Sequence, residues 1–154
     1  MFGFSKSEKV TDAISAALHS QLYAAMNENE ALTNERLLSL FTNGYIISFV
    51  YSIYGLHGLK ANAMFNKNLN KILNGILPDR LEEVFMRQNE MRKMTESMDT
   101  PSAEMLLGNQ NPKYFTESQL LARKEAGLYM RSNDVEDARA WYSYLTGKGE
   151  YSTL

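Results

Sequence analysis

Glu125 is the residue in this sequence best placed to do chemistry. Wound as a helix, residues 116–131 gather Leu121, Ala122, Ala126, Leu128 and Tyr129 on one arc, and Glu125 projects from its centre with no basic residue three or four positions away. Burial disfavours the ionised form of a carboxylate unless a partner arrives from another helix. In a cleft such a group is a general acid or base; in a core it pairs with an arginine or a tyrosine hydroxyl. Asn68 and Gln88 also stand on otherwise apolar stripes. An unpaired buried amide costs about 1–3 kcal/mol, so each must bond a neighbouring group, fix helix register or read a ligand. The two histidines invite less. His19 falls on a polar face beside Asp12 and Tyr23, without carboxylates or a nucleophile at helical spacing, and His57 suits the negative end of a helix dipole.

A second kind of chemistry, recognition, is suggested by Leu37 to Leu56, the one long run without a charged residue. As a helix it places Gly44, Ser48, Ser52 and Gly55 in a narrow arc bordered by Phe41, Tyr45 and Tyr51. That is a groove of small residues between aromatic walls. It could hold an apolar ligand or lipid, or admit a close helix crossing inside a bundle. The opposite side, Ile46, Ile47, Val50, Ile53 and Tyr54, is apolar too, so the helix must be buried in a core or a bilayer. Its length would span a membrane, but Thr42, Asn43, three serines, two glycines and three tyrosines dilute it, and no second apolar run accompanies it. A buried central helix is therefore expected in preference to a membrane span.

Composition removes several classes of function. With no cysteine there are no disulfides, thiolate metal sites or cysteine nucleophiles, and two histidines are few for a metal enzyme. The start, MFGFSKSEKV, lacks the apolar core of a secretory signal, so cytoplasmic residence is expected. Net charge is −2, made of −2 over 1–59, +3 over 60–93 and −3 over 94–154, which excludes the basic excess of a nucleic-acid binder. There is no phosphate-cradling glycine loop, no metal-binding helix motif, no nucleophile elbow and no run of strands. No cofactor and no metal are expected.

The elements that must position these residues read as helices throughout. Ser5 with Glu8 forms a capping box before a slim, alanine-rich first helix that ends near Asn27. Asn27 to Asn34 reads as a polar connector, with Thr33 or Asn34 capping the central helix and Gly58 ending it. A helix over 60–74 presents Ala61, Met64, Phe65, Leu69 and Ile72, and Gly75 and Pro78 mark its stop. Asp79 and Glu82 open the next, to about Ser97. Its methionines Met86, Met91, Met94 and Met98, with Met105 beyond, suit an irregular core or a surface that repacks against partners. Thr100-Pro101 starts a short helix closed by Gly108, and Asn109 to Pro112 is a loop.

Thr116 with Gln119 reads as a capping box, with Phe115 and Leu120 at the staple positions, for a helix to Arg131. Asn133 with Glu136 is spaced to cap the last helix, packed by Val135, Ala138, Trp141, Tyr142 and Leu145 and ended by Gly147. Ala126, Tyr129, Ala138 and Tyr142 resemble the small and aromatic positions of a tetratricopeptide or Sel1-like hairpin. The pattern occurs once, and a solenoid needs neighbouring copies, so no family follows from it.

The fold expected is all-α: a single compact domain over 1–154 of six to seven helices, with 34–56 as its buried centre, a hairpin over 116–147, and loose ends at 1–6 and 148–154. The function expected is a protein-interaction or adaptor module that self-associates, through Met91, Met94, Met98, Trp141 and Tyr142. The alternatives are a bundle binding an apolar molecule or lipid in the Gly44–Ser48–Ser52–Gly55 groove, and an enzyme using Glu125.

Overall fold

The computed structural model describes residues 6–60, 63–77, 83, 86, 90, 99 and 112–153. Gln88, Met91, Met94 and Met98, and the helix ends expected between 78 and 111, lie outside them. Among the described residues the chain is all-α, with six α-helices and no strand: α1 (Lys6–Glu28), α2 (Glu30–Arg36), α3 (Leu40–Leu56), α4 (Ala63–Ile76), α5 (Pro112–Ser132) and α6 (Ala140–Thr146). Short 3-10 turns occupy Val135–Asp137 and Gly149–Thr153.

α1 forms where the apolar spacing requires it. Val10, Ile14, Ala17, Leu18 and Ala25 are buried along one face. The segment after it is not the expected connector. Asn29 accepts a hydrogen bond from the Leu32 amide and caps α2, a separate helix. The expected central helix over 34–56 is thus broken at Leu37–Ser39, and α2 and α3 meet at 76°. The break is polar: Ser39, in extended conformation, accepts from the Thr42 amide and caps α3, and the Thr42 hydroxyl donates to the Arg36 carbonyl at 2.8 Å. Two side chains thereby satisfy backbone groups that a continuous helix would have satisfied itself.

α3 packs most extensively on α5, while α1 packs on α2, α4, α6 and α3. The start of α5 departs from the capping box expected at Thr116. Pro112 occupies the first helical turn, where its missing N–H costs nothing, and Leu120, expected as half of a staple, is 59% exposed. The cap expected from Asn133 is displaced as well. Asn133 takes φ 55°, Asp134 accepts from the Glu136 amide, and α6 begins only at Ala140. α4 runs through Gly75 to Ile76, two residues beyond the expected end.

The C-terminal tail is ordered rather than loose. Tyr151 is buried, its ring edge-on to Phe41 at 5.3 Å. Arg36, only 4% exposed, donates to the carbonyls of Tyr144 and Tyr151 and lies 5.0 Å over the Tyr144 ring. The reversal into the tail is made by Gly147 at φ 67°, a conformation that favours glycine.

Candidate functional site

The groove of small residues on α3 exists, and its first half is filled. At Gly44 a Cβ would stand 2.6 Å from the Phe115 carbonyl and on top of the Ser118 hydroxyl, so the backbones of α3 and α5 touch there. One turn on, Ser48 donates to the Gln119 carbonyl at 3.0 Å. This is the close helix crossing. Gly44 permits it because a side chain at that position would hold the helices apart.

Beyond Ser48 the contacts between the two helices lie on the Tyr45 and Phe49 side of α3: Tyr45 donates to Glu125 at 2.6 Å, and Phe49 meets the Tyr129 ring at 6.2 Å. The other edge of α3 is partly exposed. Tyr51 is 48% and Leu56 56% exposed, and at Gly55 a Cβ would meet nothing within 4 Å. Of the seven residues expected to line a ligand groove, Phe41, Gly44, Tyr45 and Ser48 are buried under protein, and Tyr51, Ser52 and Gly55 form an open edge.

The aromatic walls belong to the core. Phe41 stacks on Tyr144 at 4.2 Å, and Tyr45 stacks between Phe49 and Trp141. Trp141 and Tyr142, expected on an interaction surface, are therefore corrected to the interior. Trp141 is fully buried and donates from Nε1 to the Thr42 hydroxyl at 3.0 Å. Tyr142 is 7% exposed: its amide donates to Gln21 Oε1, its hydroxyl bonds Glu28, and Arg139 and Lys148 flank its ring at 4.2 and 5.0 Å. Two faces of a short helix this aromatic have to be enclosed, because α6 reaches α1, α2, α3 and α5 at once.

Glu125 finds the tyrosine partner from across the bundle. Besides the Tyr45 phenol, its oxygens accept from the Ala140 amide at 2.9 and 3.1 Å and from the Arg139 amide at 3.3 Å. The carboxylate thus covers amides that open α6, where Arg139 supplies no side-chain cap of its own. Burial first, then the Glu125 charge, hold the Tyr45 phenol well above its ordinary value, so it remains a donor. Gln21 completes the set, donating to the Tyr45 hydroxyl at 3.2 Å. Four helices meet in this network, and each polar atom named in it has a partner.

Asn68 is buried as expected from its stripe, and its Nδ2 has no hydrogen-bond partner among the described residues. His19 is exposed, and His57 caps α3, its carbonyl accepting from Lys6 Nζ at 2.6 Å. Arg36 is the important residue that sequence reasoning passed over. A signal existed: it is the only lysine or arginine between Lys9 and Lys60, directly before the uncharged run. Among the described residues no group of acidic or histidine side chains could hold a metal, and no single helix is long and apolar enough to cross a membrane. α2 and α3 together reach that length, but with the 76° bend between them. No protein-family model, curated protein or solved structure matches the chain.

Proposed function

We propose that this chain is a small interaction module that associates with its own copies, and that the open edge of α3 belongs to the surface it uses. One observation carries the reading: an uncharged, otherwise buried helix leaves two large side chains, Tyr51 and Leu56, about half exposed at 48% and 56%, with Gly55 bare between them. Tyrosine is enriched at interfaces, where its ring buries area at little entropic cost, and apolar surface without charge favours being covered. The occupation of Glu125 by two backbone amides and a phenol adds support, since a general acid or base must be free to exchange a proton with substrate.

The test is native mass spectrometry and light scattering on the full chain beside the variant Tyr51→Lys/Leu56→Glu. Both positions are exposed, so folding should persist, as read by circular dichroism. The reading expects an oligomer for the wild type and a monomer for the variant. A bare wild-type monomer would sink it. The space over Gly55 favours one second reading, a small apolar molecule held along Ser52–Gly55. It expects a monomer carrying extra mass that Ser52→Leu eliminates.

A further inference from the structure

We infer that copies of this chain associate head to tail, the acidic outer face of α2 in one copy docking on the basic outer face of α5 in the next. This rests on the self-association proposed above and specifies its geometry.

The basic face follows from how α5 is seated. Ser118, Ala122, Ala126 and Tyr129 are buried, which turns Leu120, Arg123, Lys124 and Arg131 to water. One acid, Glu117, is exposed on this helix against Lys113, Arg123, Lys124 and Arg131, and the other, Glu125, is turned inward onto Tyr45 and the start of α6. Gly127 keeps the stripe shallow: the nearest atom to a Cβ there would be the Arg131 guanidinium, at 3.9 Å. Leu120, 59% exposed, is an apolar residue among the cations. The helix that carries the stripe is bonded to α3 through Ser48 and the Gln119 carbonyl, one turn before Ser52.

The acidic face has the opposite origin. On α2 the exposed residues are Glu30, Ala31, Asn34 and Glu35. Its single cation, Arg36, is buried, and its guanidinium is bonded to the carbonyls of Tyr144 and Tyr151. The fold therefore removes a base from one surface and an acid from the other, so a chain of net charge −2 presents two faces of opposite sign. They cannot mate within one copy, because α2 is fixed against α1 and α6 while α5 is fixed on α3. A helix of seven residues is about 10 Å long and fits within the roughly 17 Å between Leu120 and Arg131. Ala31, small and exposed, suits contact with Leu120. Because two different patches meet, the contact is heterologous and builds a ring or an open filament rather than a closed two-fold dimer.

The experiment compares the wild type with two exposed-residue variants, Arg123→Gln/Lys124→Gln and Glu30→Gln/Glu35→Gln, by sedimentation velocity, with circular dichroism to verify folding. Wild-type association should weaken about tenfold between roughly 0.02 M and 0.3 M salt, as screening shortens the reach of exposed charges. Each variant alone should associate at least about tenfold more weakly than the wild type, since one of its faces is neutral. Mixed one to one, the variants should give a dimer and nothing larger, because each supplies one intact face. A mixture that stays monomeric, or a wild-type dimer untouched by both variants, overturns the head-to-tail geometry and leaves self-association standing. A wild type that is monomeric at low salt overturns both.

Discussion

From Leu40 to Val50, α3 is enclosed by α5, α6 and the C-terminal tail; from Tyr51 to Leu56 the same uncharged helix has one edge in water. Both halves carry the same ingredients, a glycine and a serine on one arc with aromatic neighbours. What differs is the cover that α5 gives: its backbone touches the helix at Gly44, and its further contacts, Glu125 on Tyr45 and Tyr129 on Phe49, lie on the side of Tyr45 and Phe49. The comparison shows that small residues in a helix permit an approach without naming the guest. At Gly44 the guest is part of the same chain, and at Gly55 the place is open.

The largest effect should come from closing the enclosed half. Gly44→Ala puts a methyl against the Phe115 carbonyl, and separating two packed backbones should cost about 3 kcal/mol or more in urea denaturation. A loss under about 0.5 kcal/mol would mean that α5 does not seat there. Close behind it, Arg36→Met strips a buried cation from two carbonyls and should destabilise by about 2–3 kcal/mol. The same change should release the tail, so protease should cut near Tyr151 first. An intact tail would remove Arg36 from its anchoring role.

Tyr45→Phe probes the bond between α3 and α5. The loss of the phenol leaves Gln21 and Glu125 each short of a partner and should cost about 1–2 kcal/mol at neutral pH. It should also change the alkaline limb of the stability profile. The Tyr45 phenol is raised above 10.0 in the folded chain, chiefly by burial. Below pH 10 folded and unfolded chains both keep the proton and its contribution is complete. Above that the unfolded chain ionises first, so stability falls as pH climbs, by up to about 1.4 kcal/mol per pH unit for this group. In Tyr45→Phe that decline should be shallower, the remainder coming from Tyr144, Tyr151 and Tyr129, which burial also raises. An unchanged slope would count against the network. The smallest effect belongs to the open half: Gly55→Ala meets no atom and should stabilise the helix by about 0.5–1 kcal/mol, opposite in sign to Gly44→Ala.

Much of this arrangement is legible in the chain, residue by residue. The uncharged run marks α3, the apolar spacing of Val10, Ile14 and Leu18 marks the face of α1, and Gly147 marks the end of α6. The partner of Glu125 is legible only as a class, a tyrosine or an arginine, because Tyr45 lies 80 positions away and nothing local selects it. The caps are the least legible feature. Helices α3 and α5 open at Ser39 and Pro112 where spacing favours Thr33, Asn34 and Thr116, since several polar residues compete near each end and tertiary contact chooses among them.

That the chain is helical, where its apolar faces lie and which long segment must be covered all follow from residue spacing and local backbone chemistry. That Trp141 and Tyr142 are interior, that Arg36 holds the tail and that one edge of α3 stays exposed follows from how distant segments pack. Burial is a relation between distant segments. An aromatic stripe looks the same to its own helix whether a neighbour covers it or water does.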